Sequence, residues 1–593
     1  MQMRSVSTSR LGERRLAGIA PIGAGLCLAV VALAVNRGFD LGDEGWYLYE
    51  ARDPLDFTRS TSGFQFFLHD LMRALNWSIP LSRLARLVLI VAIAGLFVRS
   101  IGRLLDRIGI PVSSSDRLVL AAIALVAPFG ATWFPQLAGY NDLVLFGVLI
   151  VITSVIEASL ALQRDRLAVA VPWALFGGIG AWITLMTKFT SMGAVVVATV
   201  AIPWALQVGT PAESSGRSMR RAWPRLLVPM LVGLAVGLLV WHVHYLPLGE
   251  TLTGMRGGLA DTANGNHKPL YVLWIAATDL IPLIGLGAIA VLIARIEDRQ
   301  RRRVATVAWG LAVVLLLAIR LGSAGNITTT VAQSYVTPMV MLGAFYLAAD
   351  GILGWWRHER SPSNRAAVIL IGSLLALPPL MALGTNNSIL AGAVKGVSFW
   401  LVAAFVLLRV FLADVPLRRA MFMSAGVLVV AVTGLAGTWV VPFNQPNLFF
   451  DGVQVDAGSP LHGLDLAPET AKSVDETLAA LIARAPEGRL LLATGDVPGL
   501  VAATASRSPG MVYFADDATF THQMLVRACA TDQQIFLAQN VLVPSPKLAA
   551  DFQNTCGVRF PDDFELLAEV PGPGSQVRVY ELDPSRRTPR PNP

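Results

Sequence analysis

The chain has 593 residues, of which 54% are hydrophobic and only 15% charged, with a net charge of +7 at pH 7. Together with a mean hydropathy of +0.57, this excludes an ordinary soluble globular protein. The chain reads as a polytopic α-helical membrane protein, and no nucleic-acid partner is expected.

The first apolar segment runs from near Leu16 to near Val35, after Arg4, Arg10, Arg14 and Arg15. Its length suits a retained spanning helix better than a cleaved signal. The run Gly38-Phe39-Asp40-Leu41-Gly42-Asp43-Glu44-Gly45-Trp46-Tyr47-Leu48-Tyr49 follows it directly. Burying a charge at the membrane centre costs roughly 2.5 to 3.5 kcal/mol. Asp43 and Glu44 therefore belong at the interface, with Trp46, Tyr47 and Tyr49 as an aromatic belt.

Apolar runs then recur between short polar breaks, and each is read as a helix because a helix satisfies its own backbone in lipid. About thirteen spans are predicted, at 16–36, 81–99, 117–134, 143–162, 167–186, 190–207, 226–246, 272–295, 304–320, 334–352, 366–383, 395–412 and 420–441. Arginines occupy every second loop: Arg103 and Arg107, Arg164 and Arg166, Arg217 with Arg220 and Arg221, Arg299 with Arg301 to Arg303, Arg357 with Arg360, and Arg418 with Arg419. The positive-inside rule makes those loops and the N-terminus cytoplasmic. Asp43-Glu44, Gly139-Tyr140-Asn141-Asp142, the 246–270 loop and the C-terminal tail then lie on the extracytoplasmic face of a multi-pass cell-membrane protein.

Residues 1–442 form the membrane domain on this reading and 443–593 a separate soluble domain. The second part holds 11 Lys or Arg against 18 Asp or Glu, a net of −7, where the first carries +14. Helix-like stretches at 474–485 and near Leu500 alternate with strand-like runs at 489–494, 534–538, 564–570 and 576–582, which argues a small α/β fold. Cys27 is a small apolar residue of the first span. Cys529 and Cys556 lie where a disulfide would persist, and the sequence leaves bridged and reduced forms open.

The Asp-Glu loop just after the first helix, the many spans and the soluble C-terminal domain together resemble the lipid-linked sugar transferases of the GT-C fold, such as protein O-mannosyltransferases and aminoarabinose transferases. At motif level the resemblance rests on Asp43-Glu44, on Tyr140-Asn141-Asp142 and on Thr187-Lys188. It implies transfer of a sugar from a polyprenyl-phosphate donor to a glycan, lipid or protein acceptor on the outer face, usually with inversion at the anomeric carbon.

An acceptor hydroxyl needs a base as the new bond forms, and Asp43 is the candidate. Glu44 would orient the acceptor, hold a water or a divalent metal, or raise the Asp43 pKa by its like charge. The competing reading makes both acids caps of a juxtamembrane helix. For the leaving phosphate the extracytoplasmic cations are Arg52, Arg59, Lys188, Arg256, Lys268, Arg320 and Lys395. Lys188 and Arg256 come first and Arg52 next, against the alternative that each snorkels at a helix end. Asn141 and Asp142 form a second acidic element for sugar hydroxyls or a divalent ion, or else a helix cap. His242 and His244, two residues apart, fall on different helix faces and make a poor metal pair. The Gly249 to Pro269 stretch is long enough for a mobile flap. A transporter or lipid flippase is the alternative function, although the sequence has no evident internal repeat. An inactive assembly factor is a third.

Overall fold

The computed structural model describes residues 2–57, 62–130, 137–210, 212–263, 269–323, 329–357, 361–384, 389–440, 451–486, 489–494, 497–509, 525–529, 533–540, 548–572, 575–583 and 585. Its membrane part consists of α1 (Gln2–Leu33), α2 (Asp43–Arg52), α3 (Phe64–Ala74), α4 (Ile79–Arg107), α5 (Ser114–Val126), α6 (Tyr140–Leu162), α7 (Leu167–Thr187), α8 (Met192–Gly209), α9 (Ala212–His244), α10 (Leu248–Ala263), α11 (Pro269–Ala294), α12 (Arg299–Ser323), α13 (Thr329–Arg357), α14 (Pro362–Ala382), α15 (Ile389–Ala393), α16 (Val397–Phe411) and α17 (Pro416–Val440).

Among the described residues, eleven helical segments are long and apolar enough to cross a membrane. Two of the expected spans fall outside that set. Within the 117–134 stretch, α5 ends at Val126 and Ala127–Gly130 is a 3-10 turn, where Pro128 and Gly130 break the helix; residues 131–134 lie outside the described residues. The 304–320 stretch lies within α12. The expected 249–269 flap is largely the helix α10; residues 264–268, with Lys268, lie outside the described residues, as do Arg59 and the side chain of Arg320.

Helix α6 is the axis of the bundle. It is apolar on all sides and 94% of its most apolar window is buried, as expected of a helix surrounded by others. It packs against α4, α7 and α8, so its first residue, Tyr140, starts from a rigid support.

The C-terminal part carries α18 (Pro468–Arg484), α19 (Gly499–Ala503), α20 (525–529) and α21 (Leu548–Cys556) around one mixed sheet. Strand β1 (Leu490–Thr494) runs parallel to β2 (Ile535–Asn540), with Leu492 opposite Leu537. Strands β3 (Phe564–Gly572) and β4 (Ser575–Leu582) form an antiparallel hairpin, and β4 pairs with β2, giving the order β1-β2-β4-β3. The α/β alternation read from the sequence is present. Cys529 and Cys556 are joined by a disulfide that ties α20 to the end of α21.

The expected division at 442/443 falls within 441–450, outside the described residues. The two parts share apolar packing. One buried cluster joins Phe39, Tyr47, Tyr49 and Leu137 to Leu461, Leu491, Leu500 and Phe536. The Gly38 N–H donates to the Asp465 carbonyl at 2.8 Å, the Gly499 N–H to Leu41 O at 2.5 Å, and the Ser508 N–H to the Tyr49 hydroxyl at 2.6 Å. A Cβ on Gly45 would run into the backbone of Gly499, so glycine at 45 permits this close approach. The aromatic belt is corrected in part by this packing. Tyr47 and Tyr49 are buried, and only Trp46 remains partly exposed.

Candidate functional site

Asp43 and Glu44 open α2 and then diverge. Asp43 is partly exposed, whereas Glu44 is 0% exposed. The cost that argued against burying a carboxylate is offset by Arg83, itself 1% exposed near the start of α4. Arg83 Nε donates to Glu44 Oε1 at 2.8 Å and Nη2 to Oε2 at 2.6 Å, a bidentate pair. Its remaining donors reach the carbonyls of Val35, Arg37 and Gly38 at 2.8, 3.1 and 2.9 Å, closing the exit of α1. Glu44 also accepts from the Leu137 N–H at 2.9 Å and the Asp40 N–H at 3.3 Å. One side chain thus fastens α2 to α4, to the α1 exit and to the segment entering α6.

A second buried pair lies beside it. Arg86 Nη2 donates to Asp142 Oδ1 at 2.9 Å, while Asp142 Oδ2 accepts from the Gly139 N–H at 3.0 Å and so caps α6. The capping role weighed for Asp142 is therefore realised, with an ion pair added. Arg83 and Arg86 were missed as site residues because they sit inside an apolar run. Two arginines three residues apart share a helix face and need partners there, which was the available signal.

The site has an open half as well. Lys188, 7% exposed, closes the C-terminus of α7, and its Nζ donates to the Met381 carbonyl at 3.0 Å. The same Nζ stands 5.8 Å from the Tyr140 ring centroid, within cation–π range. Burial first, then the nearby Lys395 charge, pushes the Lys188 pKa down to about 7. Lys395, in the 3-10 turn between α15 and α16, is in electrostatic reach of Asp142, Arg86 and Asp43. Tyr140 also feels the Asp43 charge. Asp43, Lys188, Lys395 and Tyr140 are thereby gathered from four separate segments.

Asp40 supports the first turn of α2. Its carboxylate accepts from the Gly42 N–H at 2.9 Å and the Glu44 N–H at 3.3 Å. Burial, and next the Asp43 charge, raises the Asp40 pKa to about 7. Burial pushes the Tyr47 phenol well up, and Asp43 adds to it.

The other candidates stand elsewhere. Arg52 is exposed at the last turn of α2, about 14 Å along the helix from Asp43. Arg256 is exposed on α10, and Asn141 is partly exposed in the first turn of α6. His242 accepts from the Leu248 N–H and His244 lies 3.6 Å from Asp70.

No group of three or more His, Cys, Asp or Glu among the described residues is placed to hold a metal. The carboxylates beside Asp43 are already engaged, Glu44 by Arg83, Asp142 by Arg86, and Asp40 by two backbone amides. Among the described residues, these carboxylates therefore do not assemble into a metal-holding group.

No family model and no curated protein matches the sequence. Among solved structures, the chain is similar to ArnT from Cupriavidus metallidurans bound to undecaprenyl phosphate, with 15% identity and a TM-score of 0.42 over 96% of this chain and 99% of that one. It is also similar to the Archaeoglobus fulgidus oligosaccharyltransferase in complex with zinc and sulfate, with 12% identity and a TM-score of 0.42 over 89% of this chain and 69% of that one.

Proposed function

We propose that this protein is a membrane glycosyltransferase that moves a sugar from a polyprenyl-phosphate donor to an acceptor hydroxyl, with Asp43 as the general base. The observation that carries the reading is the contrast at the start of α2. Glu44 is closed off by Arg83, while its neighbour Asp43 is partly exposed in the field of Lys395, which in turn neighbours Lys188 from another segment.

The acceptor hydroxyl gives its proton to the Asp43 carboxylate as its oxygen bonds to the anomeric carbon. The bond between that carbon and the phosphate oxygen breaks, and its electron pair stays on the lipid phosphate. Lys188 and Lys395 take up the charge that develops there. A bound phosphate would draw a proton onto Lys188, whose burial otherwise disfavours the ammonium form. Arg83, Glu44, Arg86 and Asp142 hold the frame. Arg52 and Arg256 meet lipid headgroups on this reading. Asn141 offers hydrogen bonds to the sugar beside the same turn of α6. On this reading the site end of the bundle, with the C-terminal domain, faces away from the cytoplasm, an orientation that the positive-inside pattern of the arginines supports.

The test is sugar transfer by the purified protein in lipid, offered a panel of polyprenyl-phosphate sugars, with release of free polyprenyl phosphate as a second readout. Turnover by the wild type that is lost in a normally folded Asp43→Asn supports the reading. Equal turnover in both would remove Asp43 from the reaction, and no turnover with any donor would favour a transporter or an assembly factor.

A further inference from the structure

Trp46 lies one turn after Asp43 on α2, so both side chains project from the same side of that helix. Its ring is partly exposed, but its indole nitrogen is buried. The polar edge thus points into the protein while part of the carbon surface stays accessible. The ring lies 6.4 Å from that of Tyr140, centroid to centroid, at 56°, and Tyr47 and Phe64 back both rings at 5.2 to 6.3 Å. Tyr140 in turn stands under Lys188 and feels the charge of Asp43. Two partly exposed aromatic rings therefore flank the base and one of the phosphate-binding lysines.

Beneath Trp46 is Glu50, one turn further along α2 and only 1% exposed. At positions i and i+4, Trp46 and Glu50 share one face of α2, which sets their side chains against each other. A buried acid with no other purpose in the mechanism is costly unless it fixes something. Glu50 is suited to fixing the tilt of the indole.

We infer that Trp46 and Tyr140 form the platform on which the sugar ring of the donor lies, and that Glu50 is the residue that positions Trp46. The inference rests on the glycosyltransferase reading and deepens it. The C–H groups on one face of a pyranose form an apolar patch that stacks on an aromatic face, while its hydroxyls point outward to polar partners. The platform selects donors with such a face and presents the anomeric carbon between Asp43 and the lysines.

Binding to two lipids separates platform from phosphate site: a polyprenyl-phosphate sugar turned over by the wild type, and the same polyprenyl phosphate without sugar. Trp46→Ala should weaken the glycosylated lipid about tenfold, the equivalent of about 1.4 kcal/mol, and leave the bare lipid unchanged. Trp46→Phe, which keeps a ring and protects against misfolding, should show the same selectivity at smaller size. Glu50→Ala should lower affinity for the glycosylated lipid alone, with partial rescue by the isosteric Glu50→Gln. Equal weakening of both lipids, or of neither, would overturn the platform while leaving the transferase reading intact. A wild type that binds neither lipid would overturn both.

Discussion

The two halves of the site treat the same kinds of charge in opposite ways. In the closed half, Glu44 and Asp142 are buried against Arg83 and Arg86, with the Arg83 donors directed at Glu44 and the backbone, and the Asp142 oxygens at Arg86 and the Gly139 N–H. In the open half, Asp43 is partly exposed in the field of Lys395, and Lys188 donates to the neutral Met381 carbonyl. A buried ion pair that satisfies itself has little left to offer a substrate. A partly exposed carboxylate and a lysine bound to a neutral carbonyl can exchange those contacts for the proton or the phosphate of a substrate.

The sharpest way to break this contrast is to open the closed half. Arg83→Met leaves Glu44 buried with its bidentate partner gone, and a loss of about 3 to 5 kcal/mol in stability is expected. The check is thermal unfolding in detergent, where retention of the wild-type midpoint would show that the pair does not hold the frame. In the open half the pattern reverses. Asp43→Asn should leave the unfolding midpoint within error while reducing transfer by about 10² to 10⁴-fold, measured as product formed per folded enzyme. Removing one phosphate-binding charge should do less: Lys188→Met or Lys395→Met is expected to weaken polyprenyl-phosphate binding by about 10- to 100-fold, the range of a charge-assisted hydrogen bond. An unchanged affinity in both variants would place the phosphate elsewhere.

The smallest effect concerns pH. Burial raises the Glu50 pKa from 4.5 to about 8, with the Trp46 side chain opposing it. The folded protein therefore keeps a proton there that the unfolded chain releases above about 4.5. The contribution of Glu50 to stability is fully present below that pH and declines as pH rises towards about 8. Between pH 5 and 8 the unfolding midpoint of the wild type should fall by about a few degrees more than that of Glu50→Gln. Parallel curves for the two proteins would show that Glu50 is not held protonated.

Much of this architecture could be read from the chain. Hydropathy located the helices because a span in lipid must be apolar along its whole length, and strand and helix periodicity found β1 to β4 and α18. Asp43 was legible because a charge directly after a span stands out. The partners of that charge were not. Arg83 and Arg86 were averaged into an apolar window, and Lys395 reaches the site only through tertiary folding. Tyr47 and Tyr49 looked like interfacial anchors because nothing local shows that segments near residues 464, 500 and 508 will cover them. The glycines at 249, 254, 257 and 258 suggested a flap, yet Leu248, Leu252 and Met255 recur at helical spacing, and Leu248 and Met255 pack against the Trp241 cluster, so α10 forms.

The contact of Gly45 with Gly499 also sets a timetable for assembly. The two glycines are separated by about 450 residues, which a ribosome adding about 5 to 20 residues per second takes roughly 20 to 90 seconds to cross. During that interval the face of α2 that carries Gly45 and Tyr49 has been made but its cover has not. The nascent chain must shelter that apolar surface until the last quarter of the polypeptide emerges, so the segment holding the proposed base is among the first to be synthesised and the last to be sealed.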